Sequence, residues 1–204
     1  MTIYVREISC AFGSRMIIKN FTETFKAGRV AALTGPSGSG KTTLLNMLGG
    51  LVVPDSGSIE FDSRDIATMS SRARRKFRRA NVGYLFQDYG LVPDLSVAEN
   101  IKIAVPRVSA STLAAALEEV GLSGTEKRTV SELSGGEQQR IALTRLIITE
   151  PKIVLADEPT GALDGTNSQI VLMHLRRFAE NGAVVVVATH SAYIAENVDE
   201  VVKL

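Results

Sequence analysis

The 204-residue chain contains one cysteine, no tryptophan and few aromatic residues, which make up 5% of the sequence. Because Cys10 has no second cysteine to pair with, an intrachain disulfide and the small disulfide-stabilised secreted folds are excluded. Excess positive charge is also absent, since 23 Lys and Arg stand against 22 Asp and Glu. We therefore expect a reducing compartment and no nucleic-acid partner that is held by bulk charge.

Long hydrophobic runs are missing as well. No window approaches 18 consecutive apolar residues, and the first seven residues lack the apolar centre of a signal peptide. The overall composition is that of a folded domain, with 45% hydrophobic and 22% charged residues. The sequence predicts a soluble, cytoplasmic protein.

Short apolar runs predict the fold class. Runs rich in Val, Ile and Ala that do not alternate with polar residues are typical of strands in a sheet covered on both faces. They comprise residues 30–33, 82–86, 153–156 and 184–188. Helical patterns follow at residues 41–48, 111–120, 136–148 and 166–179, with Ser111 as the expected cap of the second. Strands that alternate with helices predict an α/β fold with a largely parallel sheet.

The remaining segments predict an antiparallel sheet that flanks the parallel one and a small sub-domain. Residues 3–8 and 21–25 alternate between apolar and polar side chains, as in an antiparallel sheet. Residues 88–131 contain no strong strand run. We therefore expect one domain over residues 1–204, with a core of residues 1–87 and 132–204 and a small helical sub-domain at about residues 88–131.

A glycine-rich loop after the first buried run predicts phosphate binding. It fits the pattern G-x-x-x-x-G-K-[ST] and consists of Gly35, Pro36, Ser37, Gly38, Ser39, Gly40, Lys41 and Thr42, followed by Thr43. Glycines let backbone N–H groups point at phosphate oxygens, and the following helix adds its positive end. The Lys41 ammonium can reach the β- and γ-phosphates, and the Thr42 hydroxyl can bind Mg²⁺.

Two carboxylates follow another buried run. Asp157 and Glu158 come directly after residues 153–156, and the carboxyl ends of parallel strands form the ligand side of a sheet. Asp157 can hold Mg²⁺, and Glu158 can polarise an attacking water. Phosphoryl transfer needs this combination of charge neutralisation and positioning. The interpretation is therefore a nucleoside-triphosphate hydrolase, and a small nucleotide kinase of guanylate-kinase type is the alternative.

A further motif indicates a family. Residues 133–140, Leu-Ser-Gly-Gly-Glu-Gln-Gln-Arg, resemble the signature of ATP-binding-cassette ATPases and lie upstream of Asp157 and Glu158. Gln87 resembles the glutamine of the family's Q-loop, Asp164 the aspartate of its D-loop, and His190 its switch histidine. Phe12 stands where an adenine-stacking aromatic residue, usually tyrosine, is expected. A kinase does not need the signature, and 204 residues leave no space for the added modules of cassette ATPases in DNA repair or translation.

The resemblance implies a role for each of these residues. ATP binds to Phe12 and to the loop from Gly35 to Thr43, and Mg²⁺ binds to Thr42, Gln87 and Asp157. The catalytic residues that the resemblance implies are Lys41, Gln87, Glu158 and His190. The signature residues act on the nucleotide of a second copy, and Asp164 crosses the interface of that homodimer; the signature residues are Ser134, Gly135, Gly136 and Glu137.

The family also implies a membrane partner. In residues 76–79, 83–87, 133–140 and 156–161 the chain resembles compact ATPases of bacteriocin-export systems, which belong with the ATPases of macrolide, antimicrobial-peptide and lipoprotein-release transporters. A separate transmembrane permease would bind the cargo, which this sequence does not identify. We expect an apolar groove for that permease at Tyr89, Leu91, Val92 and Leu95. Residues 72–79 carry six positive charges, and a solvated helix is favoured there over attraction to nucleic acid or anionic lipid.

Overall fold

The computed structural model describes residues 1–160 and 165–204. Strands and helices alternate along the chain in the described residues. In chain order they are β1 Thr2–Phe12, β2 Arg15–Lys26, β3 Val30–Thr34, α1 Lys41–Leu48, β4 Ser56–Phe61, β5 Arg64–Asp65, α2 Ser71–Asn81, β6 Val82–Leu85, α3 Val97–Ala104, α4 Ala110–Glu119, α5 Gly135–Thr149, β7 Ile153–Asp157, α6 Gly165–Glu180, β8 Val184–Ala188, α7 Ala192–Glu196 and β9 Glu200–Lys203.

The strands form two sheets. Five strands make a parallel sheet in the order β6-β7-β8-β3-β9, and four make an antiparallel sheet in the order β2-β1-β4-β5. The predicted α/β class, with a parallel sheet and an antiparallel flank, is confirmed. Between residues 88 and 131 the structure has helices and no strand longer than a single bridge, which joins Ser96 to Thr129.

The parallel sheet is covered on both faces because its central strands are almost entirely apolar. All five residues of β7 and of β8 are buried. Successive side chains point to opposite faces, so Val184 and Val186 join one core with α1 and the antiparallel sheet. Val185 and Val187 join a second core with α5, α6 and the helices between residues 88 and 131. The two cores hold the carboxyl ends of β3, β7 and β8 at one edge.

Several elements differ from the sequence prediction. The second helix begins at Ala110, and its cap is Ser109, whose Oγ accepts a hydrogen bond from the Thr112 N–H at 3.0 Å. The prediction of Ser111 as the cap is wrong because the helix begins one residue earlier, so Ser111 lies within its first turn. The strands β4, β5 and β9 and the helix α7, capped by Ser191, were not predicted.

His174 on α6 is buried, with 1% of its surface exposed. Its Nδ1 lies 3.5 Å from Glu119, which also pairs with Arg177, and its Nε2 has no hydrogen-bond partner within the described residues. Burial lowers the pKa of His174 and Arg177 lowers it further, whereas Glu119 opposes them. His174 is therefore neutral in the folded protein at neutral pH.

This burial predicts acid sensitivity. The unfolded chain binds a proton at His174 near pH 6.5, whereas the folded chain resists it, so stability falls as pH decreases from about 6.5 towards the lower folded pKa. The loss is at most about 1.4 kcal/mol per pH unit. Denaturant unfolding at pH 7.5 and 5.5 should show a smaller acid-induced loss for His174→Leu than for the wild type. Equal losses would contradict the assignment.

Candidate active site

The phosphate loop connects β3 to α1 and lines a cavity of about 370 Å³. Gly40 has φ of 100°, and a Cβ at this position would lie 2.7 Å from Ile18 Cδ1. Only glycine therefore fits at the start of α1. The residues that line the cavity are Arg15, Ile17, Ser37, Gly38, Gly40, Lys41, Thr42, Thr43, Gln87, Glu158 and His190.

Lys41 is a buried cation without a carboxylate partner. Its side chain is buried, with 6% of the residue exposed. No residue in the described ranges, 1–160 and 165–204, forms a salt bridge with it. Its Nζ donates to the carbonyl oxygens of Gly35 at 2.9 Å and Pro36 at 3.1 Å. Buried charges are normally paired with an opposite charge. The ammonium group is therefore placed to hold an anion at the cavity.

His190 and Glu158 are held together at the ends of neighbouring strands. The Glu158 carboxylate accepts hydrogen bonds from the His190 N–H at 3.1 Å and from the Thr189 hydroxyl at 3.4 Å. His190 Nε2 lies 3.2 Å from Lys41 Nζ. An ammonium has no lone pair, so Nε2 must be the acceptor in that contact. His190 Nε2 also lies 3.5 Å from Glu158 Oε1. Because Nε2 then carries no proton, this approach is a contact and not a hydrogen bond.

Glu158 also has an unusual backbone. Its φ is 45°, in the left-handed region that non-glycine residues rarely adopt. Its N–H donates to the Ala188 carbonyl at 2.8 Å, which fixes the residue at the end of β8. The side chain is 15% exposed and lines the cavity. A strained backbone held by its neighbours is a feature of functional sites.

Asp157 and Thr42 form the candidate metal site. The Thr42 hydroxyl donates to Asp157 Oδ1 at 3.2 Å. Burial raises the pKa of Asp157 and the nearby Glu158 raises it further, whereas the Thr42 hydrogen bond and Lys41 oppose this. A buried carboxylate and a hydroxyl are the oxygen donors that Mg²⁺ uses with phosphates and water, so these residues fit the ion. Gln87, exposed at the rim, adds a carbonyl oxygen.

The signature residues lie elsewhere on the molecule. Ser134 caps α5: its Oγ accepts from the Glu137 N–H at 3.3 Å, and the Glu137 carboxylate accepts from the Ser134 N–H at 2.8 Å. Ser134 and Gly135 are exposed, and a Cβ at Gly136 would lie 2.7 Å from Asn167. None of the four residues from Ser134 to Glu137 is among those that line the cavity.

Some of the predicted site residues are not among those that line the cavity, namely Phe12, Gly35, Pro36, Ser39 and Asp157. Phe12 lies at the end of β1, 57% exposed, and is not among the lining residues. Asp164 lies outside the described residues. Within the described residues no cluster of three His, Cys, Asp or Glu side chains could hold a metal, so any metal site must include other donors.

Arg15 was missed by the sequence analysis. It pairs directly with Phe12 across the β1–β2 hairpin, and a Cβ added at Gly38 would lie 3.5 Å from its Nη2. Directly opposed residues of antiparallel strands share a face. Arg15 therefore shares a face of the hairpin with Phe12, and its guanidinium lies close to the phosphate loop. The two-residue spacing Gly13-Ser14 is the sequence signal that could have revealed this pairing.

Comparison with known proteins identifies the family of this chain. The sequence profile described as ABC transporter matches residues 18–161. The chain belongs to the ABC transporter family. The resemblance stated from the motifs is thus confirmed, and the chain is an ABC-type ATPase rather than a nucleotide kinase. As in other members, this is the ATPase part of a transporter, and it binds ATP.

Individual relatives differ in length. The macrolide export ATP-binding/permease protein MacB of Escherichia coli is 38% identical over 214 residues, which cover 99% of this chain and 33% of MacB. The lipoprotein-releasing system ATP-binding protein LolD 1 of Rhodopirellula baltica is 40% identical over 191 residues, covering 90% of this chain and 83% of LolD 1. The chain therefore spans about a third of the length of MacB and most of that of LolD 1.

Solved structures confirm the fold as that of an ABC ATPase cassette. The dimeric post-hydrolysis structure of the ATP-binding cassette MJ0796 bound to ADP and Pi superimposes with a TM-score of 0.89 and 29% identity. The match covers 99% of this chain and 94% of that one. A second dimeric MJ0796 structure has a TM-score of 0.89 and 30% identity. Among the described helices of this chain, none is both long and apolar enough to cross a membrane.

Proposed function

We propose that two copies of this ABC ATPase close around ATP and so drive export or extrusion through a separate membrane subunit. The observation that carries the proposal is the separation of the cavity from the exposed, capped end of α5. Both are built to receive phosphate, yet they belong to different surfaces of one chain. A second copy, related by two-fold symmetry, would bring the end of α5 to the cavity of the first.

The end of α5 has the chemistry that a γ-phosphate needs. The helix spans 15 residues and begins at Gly135, so its first N–H groups and its dipole present positive charge. Gly135 and Gly136 carry no side chain that would keep an anion away from this backbone. Ser134 adds a hydroxyl, and the capping box with Glu137 fixes the loop before ATP arrives.

Each cavity residue has a separate role in hydrolysis. Lys41 holds the β- and γ-phosphates, and Glu158 accepts the proton of the attacking water while its backbone keeps it in place. His190, which contacts both, positions the water and the γ-phosphate. Mg²⁺ held by Thr42, Asp157 and Gln87 would neutralise charge on the phosphates. These roles combine general-base catalysis with electrostatic stabilisation.

Closure by ATP needs a large difference in affinity between two states. To move an equilibrium from 1:99 to 99:1 takes about 5.5 kcal/mol. A γ-phosphate bound by both copies can supply this energy, because it contacts the second copy only in the closed dimer. ADP lacks that group, so hydrolysis reopens the dimer.

The membrane subunit would dock in a groove at the edge of β6. The groove is lined by residues that include Arg79, Phe86, Ala104 and Arg145, and the Phe86 ring is 38% exposed. The expected groove at Tyr89, Leu91, Val92 and Leu95 is displaced from these residues: Tyr89 and Leu91 instead pack partly buried against the core. Docking there would hold the ATPase on the cytoplasmic face of the membrane.

The cargo class follows only from relatives, so we propose a peptide, bacteriocin, lipoprotein or drug. Purification of the chain from membranes with its bound partner would test the transporter assignment. A co-purifying transmembrane permease that stimulates ATP hydrolysis is the expected result. Recovery of only soluble partners would contradict it.

A substitution in the groove should separate hydrolysis from transport. Ala104→Glu places a carboxylate in the groove, where apolar contact with the permease is expected, and should reduce permease-stimulated ATPase activity and transport at least about 10-fold. Basal hydrolysis by the ATPase alone should stay within about twofold. Ala115→Glu is the matched control, because Ala115 is an exposed helical alanine that is not among the groove residues. Equal effects of both changes would exclude the groove as the docking site.

Arg15 is expected to strengthen ATP binding. Arg15→Gln removes a positive charge beside the phosphate loop and should raise the Kd for ATP about 5- to 10-fold, since a partly exposed charged hydrogen bond is worth roughly 1 kcal/mol. The affinity for adenosine should not change. Titration calorimetry would measure both, with Arg29→Gln on another exposed arginine as the control. Unchanged ATP affinity would contradict the role.

A further inference from the structure

One face of α2 carries a row of four exposed cations, which we call the α2 stripe. Its members are spaced by three, four and seven residues, so they lie on the same side of the helix. They are Arg72, Arg75, Lys76 and Arg79. The row is about 10 Å long, from the helical rise of about 1.5 Å per residue.

The other basic residues of α2 have different tasks. Arg74 donates to the Met69 carbonyl at 2.5 Å, and Arg78 donates to the Gly50 carbonyl at 2.7 Å. Both flank Phe77, which is buried in the core. The six positive charges of the sequence therefore divide into two that hold the helix in place and four that face outward.

The α2 stripe has no acidic partner. Residues 66–87 contain no Asp or Glu, and across residues 1–160 and 165–204 no member of the stripe forms a salt bridge. Like charges three and four residues apart destabilise a helix. The stripe thus weakens the isolated helix and gains nothing from the fold, as expected of a surface that meets an external anion.

The position of the stripe on the molecule indicates the kind of anion that it meets. Arg79 belongs to the stripe and also lines the groove at the edge of β6, so the orientation argument rests on the proposed docking of a membrane subunit there. With the groove engaged, the stripe extends from the docking site across the neighbouring surface of the ATPase. That surface then lies beside the cytoplasmic leaflet, which carries negative charge.

We infer that the α2 stripe binds anionic phospholipid headgroups of the membrane that holds the transporter. Three of its four members are arginines, whose guanidinium groups bind phosphate oxygens in pairs. A nucleic acid fits less well, because the stripe is only about two helical turns long and has no exposed aromatic residue among its cations. The net charge of +1 means that attraction must come from the stripe rather than from the whole protein.

Sedimentation with vesicles tests the inference without any permease or ATP. The wild-type chain should bind vesicles of equal parts phosphatidylglycerol and phosphatidylcholine, but not vesicles of phosphatidylcholine alone. Each cation contributes about fivefold in affinity, so a variant that combines Arg72→Gln, Arg75→Gln, Lys76→Gln and Arg79→Gln should bind roughly 600-fold less. Added salt should weaken wild-type binding in the same direction.

A charge-matched variant provides the control. Lys19→Gln, Lys26→Gln, Arg29→Gln and Lys127→Gln together also remove four exposed positive charges, but away from α2. This variant should keep its affinity for the anionic vesicles within about threefold. Glutamine is a good helix former, and thermal unfolding verifies that the stripe variant is folded.

Three outcomes would overturn the inference. Equal losses in the two variants would mean that bulk charge controls binding, and unchanged binding of the stripe variant would assign the lipid contact elsewhere. Tighter binding of the wild type to a DNA duplex than to the anionic vesicles would make the stripe a nucleic-acid surface. Because the assay contains no membrane subunit, failure here is distinct from failure of the proposed transporter function.

Discussion

Replacing Glu158 with glutamine is expected to lower kcat for ATP hydrolysis roughly 100- to 10,000-fold, the usual contribution of a general base. Glutamine preserves the shape of the side chain, and its amide oxygen can still accept from the His190 N–H, which now bonds to the carboxylate at 3.1 Å. It cannot accept the proton of water. ATP should therefore bind but persist, and the closed dimer should accumulate.

Phosphate release and size-exclusion chromatography in Mg-ATP measure the two effects. The wild type should elute mainly as monomer at steady state, and Glu158→Gln as dimer with ATP but as monomer with ADP. Glu180→Gln serves as the control, since Glu180 is an exposed glutamate on α6 outside the cavity. Normal hydrolysis by Glu158→Gln, or a monomer that persists in saturating ATP, would contradict the role assigned to Glu158.

The parts of the site that depend on local geometry could be predicted from sequence. The phosphate loop is one, because Gly40 must adopt a positive φ and Lys41 must open a helix. The pair Asp157 and Glu158 is another, because the apolar run at residues 153–156 places the first charged residues of the segment at the carboxyl edge of the sheet. For both the phosphate loop and the carboxylate pair, one continuous segment contains all the residues on which the prediction depends.

Other elements depend on tertiary pairing and could not be predicted. The strand β4 begins Ser56-Gly57-Ser58, which are poor strand formers, and it exists because it pairs with β1. The strand β9 buries only Val202 and lies at the edge of the parallel sheet, beside β3. Neither has enough apolar residues to be recognised without its neighbour.

Surface sites depend on still longer-range contacts. The groove at β6 takes Ala104 from α3 and Arg145 from α5, so no continuous segment contains it. The Arg145 guanidinium donates to the carbonyl oxygens of Tyr89 and Gly90, which holds that loop against the helix. None of the four apolar residues expected to form a groove after Gln87 lines this one, and two of them, Tyr89 and Leu91, pack partly buried against the core.

Mixing two inactive variants is expected to restore ATP hydrolysis, because we propose that each site is built from two copies. Lys41→Ala removes the buried cation that is proposed to hold the phosphates, and Ser134→Arg blocks the end of α5 that is proposed to face the partner's nucleotide. Each variant alone should retain less than about 1% of wild-type activity, since lost transition-state positioning costs 100-fold or more. A heterodimer pairs the intact Lys41 of one copy with the intact Ser134 of the other.

The size of the recovery is set by symmetry. At equal amounts about half of the dimers are mixed, and one of their two sites is intact, so activity should reach at most about a quarter of the wild-type value. Recovery also shows that both variants are folded, although Ser134→Arg loses a helix cap worth about 1 kcal/mol. In the control, Lys41→Ala mixed with a chain carrying both changes should stay inactive. An inactive first mixture that still forms mixed dimers would mean that the cavity does not use the α5 end of a second copy.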